Sequence, residues 1–60
     1  MTRYYINIKD IDGKTEIWCT EETLEKHLKR IRVKKAMGFL KIAKIYRYEG
    51  RKRVLERVIR

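Results

Sequence analysis

The 60-residue sequence predicts an α+β fold of order ββαββ, in which two antiparallel β-hairpins are joined by one amphipathic helix packed on the sheet. Apolar residues alternate at period two over 3–19, recur at helical spacing over 20–36, and return to period two over 39–59. Glycines mark the joints, at Asp12-Gly13, Gly38 and Glu49-Gly50. The length holds one small domain, residues 1–60, with no solenoid repeat, linker or low-complexity run.

The first hairpin, 3–19, follows from the alternation. Tyr4, Ile6 and Ile8 fall on one face, and Tyr5, Asn7 and Lys9 on the other. Ile17 and Cys19 continue the inner face, with Glu16 and Trp18 outside. Asp12-Gly13 suits the positive φ angles of a type I′ turn. A two-residue loop there sets Ile8 opposite Ile17, Ile6 opposite Cys19, Asn7 opposite Trp18 and Lys9 opposite Glu16. Apolar residues then face apolar ones, and a cation faces an anion.

The helix, 20–36, starts where the Thr20 hydroxyl can cap the first turn and where Glu21 and Glu22 meet the positive end of the dipole. Leu24, Leu28 and Ile31 form a narrow apolar stripe at i, i+4, i+7. Glu22–Lys26 and Glu25–Lys29 are favourable i, i+4 pairs, and Gly38 is a natural stop. Two endings fit the pattern. Either the helix stops near Arg32, or it runs to Met37 and leaves Val33 and Met37, opposite the stripe, to contact something else.

The second hairpin, 39–59, turns around Glu49-Gly50. Leu40, Ile42, Tyr46 and Tyr48 share one face, interrupted by Lys44, and Ala43 and Ile45 share the other. A three-residue loop sets Ile42 opposite Val58, Tyr46 opposite Val54, and Lys44 opposite a neutralising Glu56; a two-residue loop matches less well. The expected core is Ile6, Ile8, Ile17, Leu24, Leu28, Ile31, Ile42, Tyr46, Val54 and Val58. Both faces of this hairpin stay partly apolar, which points to a homodimer.

Charge supplies the functional hint. Residues 1–25 carry three cations against six anions, a net of −3, and residues 26–60 carry fourteen against two, a net of +12. Charge concentrated in one part of a fold makes a face for a polyanion, whereas dispersed charge mainly maintains solubility. The expected partner is therefore DNA or RNA, held through its phosphate backbone by a small non-catalytic protein. The expected contacts are Lys29, Arg30, Lys34 and Lys35 at the helix end, with Arg51, Lys52, Arg53 and Arg57 on the last strand and its turn. Tyr5 and Trp18 on the outer face of the first hairpin are candidates for base stacking or an interface. The rival expectation is an interaction module or inhibitor that docks an acidic protein through a sheet edge and these aromatics.

Other chemistry finds little material. The chain contains no serine, so a serine nucleophile is impossible, and its glycines are isolated rather than clustered in a phosphate loop. Cys19 and His27 are the only soft or borderline metal ligands, too few for a structural zinc. Cys19 falls on the inner face, where a thiol is usually inert. These readings predict neither an enzyme nor a cofactor. No apolar run approaches the roughly 20 residues of a membrane span. A lone cysteine fits the reducing cytoplasm.

Overall fold

A computed structural model describes residues 2–60. The elements follow the expected order: β1 (Arg3–Asp10), β2 (Gly13–Thr20), α1 (Glu21–Ala36), β3 (Leu40–Glu49) and β4 (Lys52–Ile59). The four strands form one antiparallel sheet of order β2-β1-β3-β4. β1 pairs with β3, which joins the two hairpins. These two strands carry the aliphatic inner faces and take the centre. The edge strands carry Lys14 and Glu16 on one side and Lys52, Arg53 and Arg57 on the other, the charged composition that discourages edge-to-edge pairing.

The helix lies on one face of the sheet. Tyr4, Ile6 and Ile8 of β1, Ala43 and Ile45 of β3, and Leu28 and Ile31 of α1 make the core. Ile17, Cys19, Leu24, Leu40 and Ile59 pack around it. Ile6, Ile31 and Ile45 are the largest side chains wholly removed from solvent. Each contributes about 2–3 kcal/mol of transfer free energy, a large share for so small a domain.

Helix ends follow their local chemistry. Thr20 takes the N-cap position with extended backbone, but its hydroxyl makes no capping hydrogen bond. At the other end the helix continues to Ala36, past Arg32. The Phe39 N–H donates to the Lys34 carbonyl at 2.9 Å, and the Gly38 N–H donates to the Lys35 carbonyl at 3.0 Å. This is a Schellman motif, and Gly38 at φ 79° supplies the left-handed residue it needs. Val33 and Met37 are 56% and 60% exposed.

Two registers and one strand face differ from expectation. In the first hairpin Ile6, not Ile8, lies opposite Ile17; Tyr5 faces Trp18, Asn7 faces Glu16, and Lys9 faces Lys14. The loop is Ile11-Asp12, closed by the Asp10–Gly13 pair, rather than Asp12-Gly13. The cause is Asp10, whose Oδ1 accepts the Asp12 N–H at 2.8 Å and so shapes the turn from its own side chain. Sliding by two residues keeps every side chain on its predicted face.

In the second hairpin the loop is the two-residue Gly50-Arg51, closed by Glu49 and Lys52. Gly50 at φ 60° takes the first central position, where a type II′ turn requires glycine. The mismatch this creates is absorbed by a bulge between Ile45 and Tyr46, so that Ala43 faces Ile59 and Lys44 faces Val58. Glu56 reaches Arg47 at 3.2 Å instead of Lys44.

The third difference is the face of β3. Ala43 and Ile45 point to the helix, so Ile42, Tyr46 and Val58 lie outside the core expected for them. Lys44 accounts for the choice. It shares a face with Tyr46, and an unpaired ammonium is far less costly on the open side. Val54 alternates toward the helix side but is 38% exposed at the sheet edge.

Candidate nucleic-acid interface

Strand registers assemble the face that α1 leaves open. Across the sheet, one row reads Thr20, Arg3, Tyr48, Arg53; the next Trp18, Tyr5, Tyr46, Leu55; the next Glu16, Asn7, Lys44, Val58; and a last short row Lys14, Lys9, Ile42. Four aromatic rings thus meet from three strands. Tyr5 and Trp18 stand 4.9 Å apart between centroids, Tyr5 and Tyr46 5.9 Å, and Trp18 and Tyr48 5.2 Å, all tilted. The Arg53 guanidinium lies 4.5 Å above the Tyr46 ring, within cation–π range.

The rings are fixed at their bases and open at their tips. Tyr5, Tyr46 and Tyr48 are half-buried by one another and by the sheet. Trp18 remains 59% exposed. The nearby Glu16 carboxylate, followed by desolvation, holds the Tyr5 phenol above its ordinary pKa. A hollow of about 410 Å³ adjoins Trp18, bordered by Arg3, Cys19 and Thr20.

Charge on this face is one-sided. Arg3, Lys9, Lys14, Lys44 and Arg53 stand against Glu16 alone. Among the described residues, none of these five cations is held in an ion pair.

The eight cations expected from the sequence do not converge. Lys29, Arg30 and Lys35 are exposed on α1, behind the sheet. Lys34 is engaged within the fold: its Nζ donates to Asp10 Oδ2 at 2.7 Å, with the Lys34 side chain 41% exposed and that of Asp10 5% exposed. That ammonium, with the Asp12 N–H, holds the Asp10 carboxyl below the ordinary carboxylate range. Lys34 is thus tied into the fold. Arg57 shares a cavity of about 200 Å³ with Glu25 and Glu56 on the helix side. Lys52 alternates to that side too, opposite Glu49, and Arg51 sits in the turn. Of the eight, Arg53 alone lies in the aromatic field.

Tyr5 and Trp18, singled out from the sequence, both stand on the open face and directly opposite each other. Tyr46, Tyr48, Lys44, Arg3, Lys9 and Lys14 join them there. The signal for the β3 residues was Lys44: two tyrosines alternating with a lysine describe a solvent-facing side more naturally than a core.

Among the described residues, no helix is long and apolar enough to cross a membrane. Nor, among these described residues, is any group of three His, Cys, Asp or Glu side chains placed to hold a metal ion. No protein-family model matches the chain, and the searches of curated proteins and of solved structures return no match either.

Proposed function

We propose that this chain is a small, non-catalytic nucleic-acid-binding protein whose ligand lies on the open face of the sheet. The observation that carries the reading is the aromatic field formed by Tyr5, Trp18, Tyr46 and Tyr48, with five unpaired cations set among and around it. Aromatic rings offer a sequence-tolerant surface to bases, and cations track the phosphates. Cations on α1 and Arg51 add to the long-range field that steers a polyanion toward the molecule. The single thiol, Cys19, suits the cytoplasm as the place of action.

The test is affinity measured at several salt concentrations. Five phosphate contacts to a single strand give a slope of log K against log salt of about −3.5. Affinity that is absent at low salt, or independent of salt, contradicts the reading.

A second reading keeps the acidic protein partner. It rests on edge strand β4, where Val54, Leu55 and Val58 are 38%, 49% and 38% exposed. An added strand would gain backbone pairing and apolar contact there. One protein retained on the immobilised chain after nuclease treatment, and lost on Leu55→Lys, is the result that favours it.

A further inference from the structure

Resting on the nucleic-acid reading, we infer that the open face is a platform for unpaired bases: it takes single-stranded nucleic acid and discriminates against duplex. The argument starts from what a ring face needs. In a duplex each base has its two faces against its neighbours, so an aromatic side chain finds no π-surface without unstacking a step, which costs a few kcal/mol. A single strand offers those faces freely.

Shape gives the same answer. A duplex could be read by a ribbon or helix entering the major groove, about 12 Å wide. Here the aromatics lie in the middle of a four-stranded sheet, on β2, β1 and β3. Three inter-strand spacings of about 4.8 Å separate the outer strands by about 14 Å before any side chain is counted. The sheet face is too broad to enter the groove, and its central rings would stop short of the bases.

The rings are arranged to receive a strand running across the sheet. Trp18, Tyr5 and Tyr46 are register-paired neighbours, spanning two strand spacings, about 10 Å, with room for about two or three bases. Arg53 already covers one face of Tyr46, so its guanidinium plane extends the stacking surface. At the opposite end, the hollow beside Trp18 has Arg3 on its border, a cation for the flanking phosphate. Phosphates beyond the row meet Lys44, Lys9 and Lys14.

Charge selects the occupant. Covering this face with a second copy would bring two sets of five cations together, with one carboxylate on each side. A polyanion relieves that repulsion, whereas a second copy compounds it.

The experiment is fluorescence anisotropy with three labelled probes: a 12-nucleotide mixed-sequence DNA strand, the RNA strand of the same sequence, and the 12-base-pair DNA duplex. At low salt the single strands should bind at least tenfold tighter than the duplex and quench Trp18 emission. Trp18→Ala, at an exposed position, should weaken single-strand binding by roughly 5- to 150-fold, the range for losing one base–aromatic stack. It should leave duplex affinity within about twofold, and Trp18→Phe should restore most of the loss. Circular dichroism confirms that each variant is folded. Equal affinity for strand and duplex, unaltered by Trp18→Ala, would overturn this inference and leave nucleic-acid binding standing only as phosphate contact without base stacking. Failure of all three probes to bind would overturn both. A dimer that buries Trp18 without nucleic acid, seen by sedimentation and a concentration-dependent emission shift, would overturn the platform in favour of self-association.

Discussion

The covered face of the sheet buries Ile6, Ile8, Ala43 and Ile45 beneath α1, whereas the opposite face leaves Trp18 59% exposed among half-buried tyrosines and free cations. Both faces are built from the same strands, but the residue types are weighted differently: Tyr4 is the one aromatic in the core, and Ile42, Leu55 and Val58 lie on the open side. Branched aliphatics, one alanine and Tyr4 fill the side that must exclude water. Aromatics, which combine apolar area with specific stacking geometry, fill the side that does not. The 16-residue helix packs on β1, β2 and β3 and leaves β4 uncovered. The surplus apolar surface is therefore not spare core. Its interleaving with Arg3, Lys44 and Arg53 supports the proposed polyanion-binding face, because hydrophobic interface cores are depleted of charge.

The sharpest way to separate the faces is to cut into each. Ile6→Ala should destabilise the fold by about 2–5 kcal/mol in urea denaturation, a loss that threatens a domain of this size. Tyr48→Ala on the open face should cost much less stability and show its main effect on binding. If the two variants unfold at the same urea concentration, the open face is serving as core.

Next in size is the Lys34–Asp10 pair. Lys34→Met leaves a carboxylate in a site with 5% side-chain exposure and no cationic partner, so stability falls while single-strand affinity, measured where the variant remains folded, holds. The pH dependence has a definite sign. Asp10 is depressed in the folded state, so its contribution is fully present above the unfolded value of about 3.9 and is lost as pH falls through the lower folded value. The wild type should therefore lose stability on acidification below about pH 4 more steeply than Asp10→Asn. Parallel pH curves would mean that the pair is not formed.

Smaller effects belong to single cations. Arg53→Ala should weaken single-strand binding several-fold, because it removes both a charge and a stacking plane. Lys44→Ala should act mainly by making the salt slope shallower by about 0.7. The smallest effect is expected on the helix, where the double change Lys29→Ala, Arg30→Ala should alter affinity by about twofold through the general field alone. A tenfold loss there would move the site to the covered side.

The fold was largely legible in the residues, because hydrophobic periodicity and the glycine breaks agreed. Tyr4, Ile6 and Ile8 alternate without interruption, Leu24, Leu28 and Ile31 repeat at helical spacing, and Gly38 ends the helix. Register was less legible. The side chain of Asp10 set the first turn, and a bulge before Tyr46 absorbed the extra residue in the second hairpin. Neither is encoded in hydrophobic alternation.

The candidate site was half legible. Tyr5 and Trp18 stood out as exposed aromatics, but the larger charge excess beyond residue 25 pointed to the helix end. Folding redistributes that excess. Lys34 pairs with Asp10, Arg57 borders a cavity on the helix side with Glu25 and Glu56, and Arg53 crosses to the open side. Meanwhile Arg3, Lys9 and Lys14, from the segment of net −3, contribute three of the five open-face cations. Linear charge counts cannot see this, because strand alternation sends neighbouring residues to opposite sides.

The most direct test of the open face is a ¹⁵N-resolved NMR titration with an unlabelled 12-nucleotide single strand at low salt. Shifts concentrated at the Trp18 indole N–H and the amides of Tyr5, Lys44, Tyr46, Tyr48 and Arg53, with Lys29, Arg30 and Lys35 nearly still, are the predicted result. Shifts confined to the helix cations, with the Trp18 indole unmoved, would contradict it.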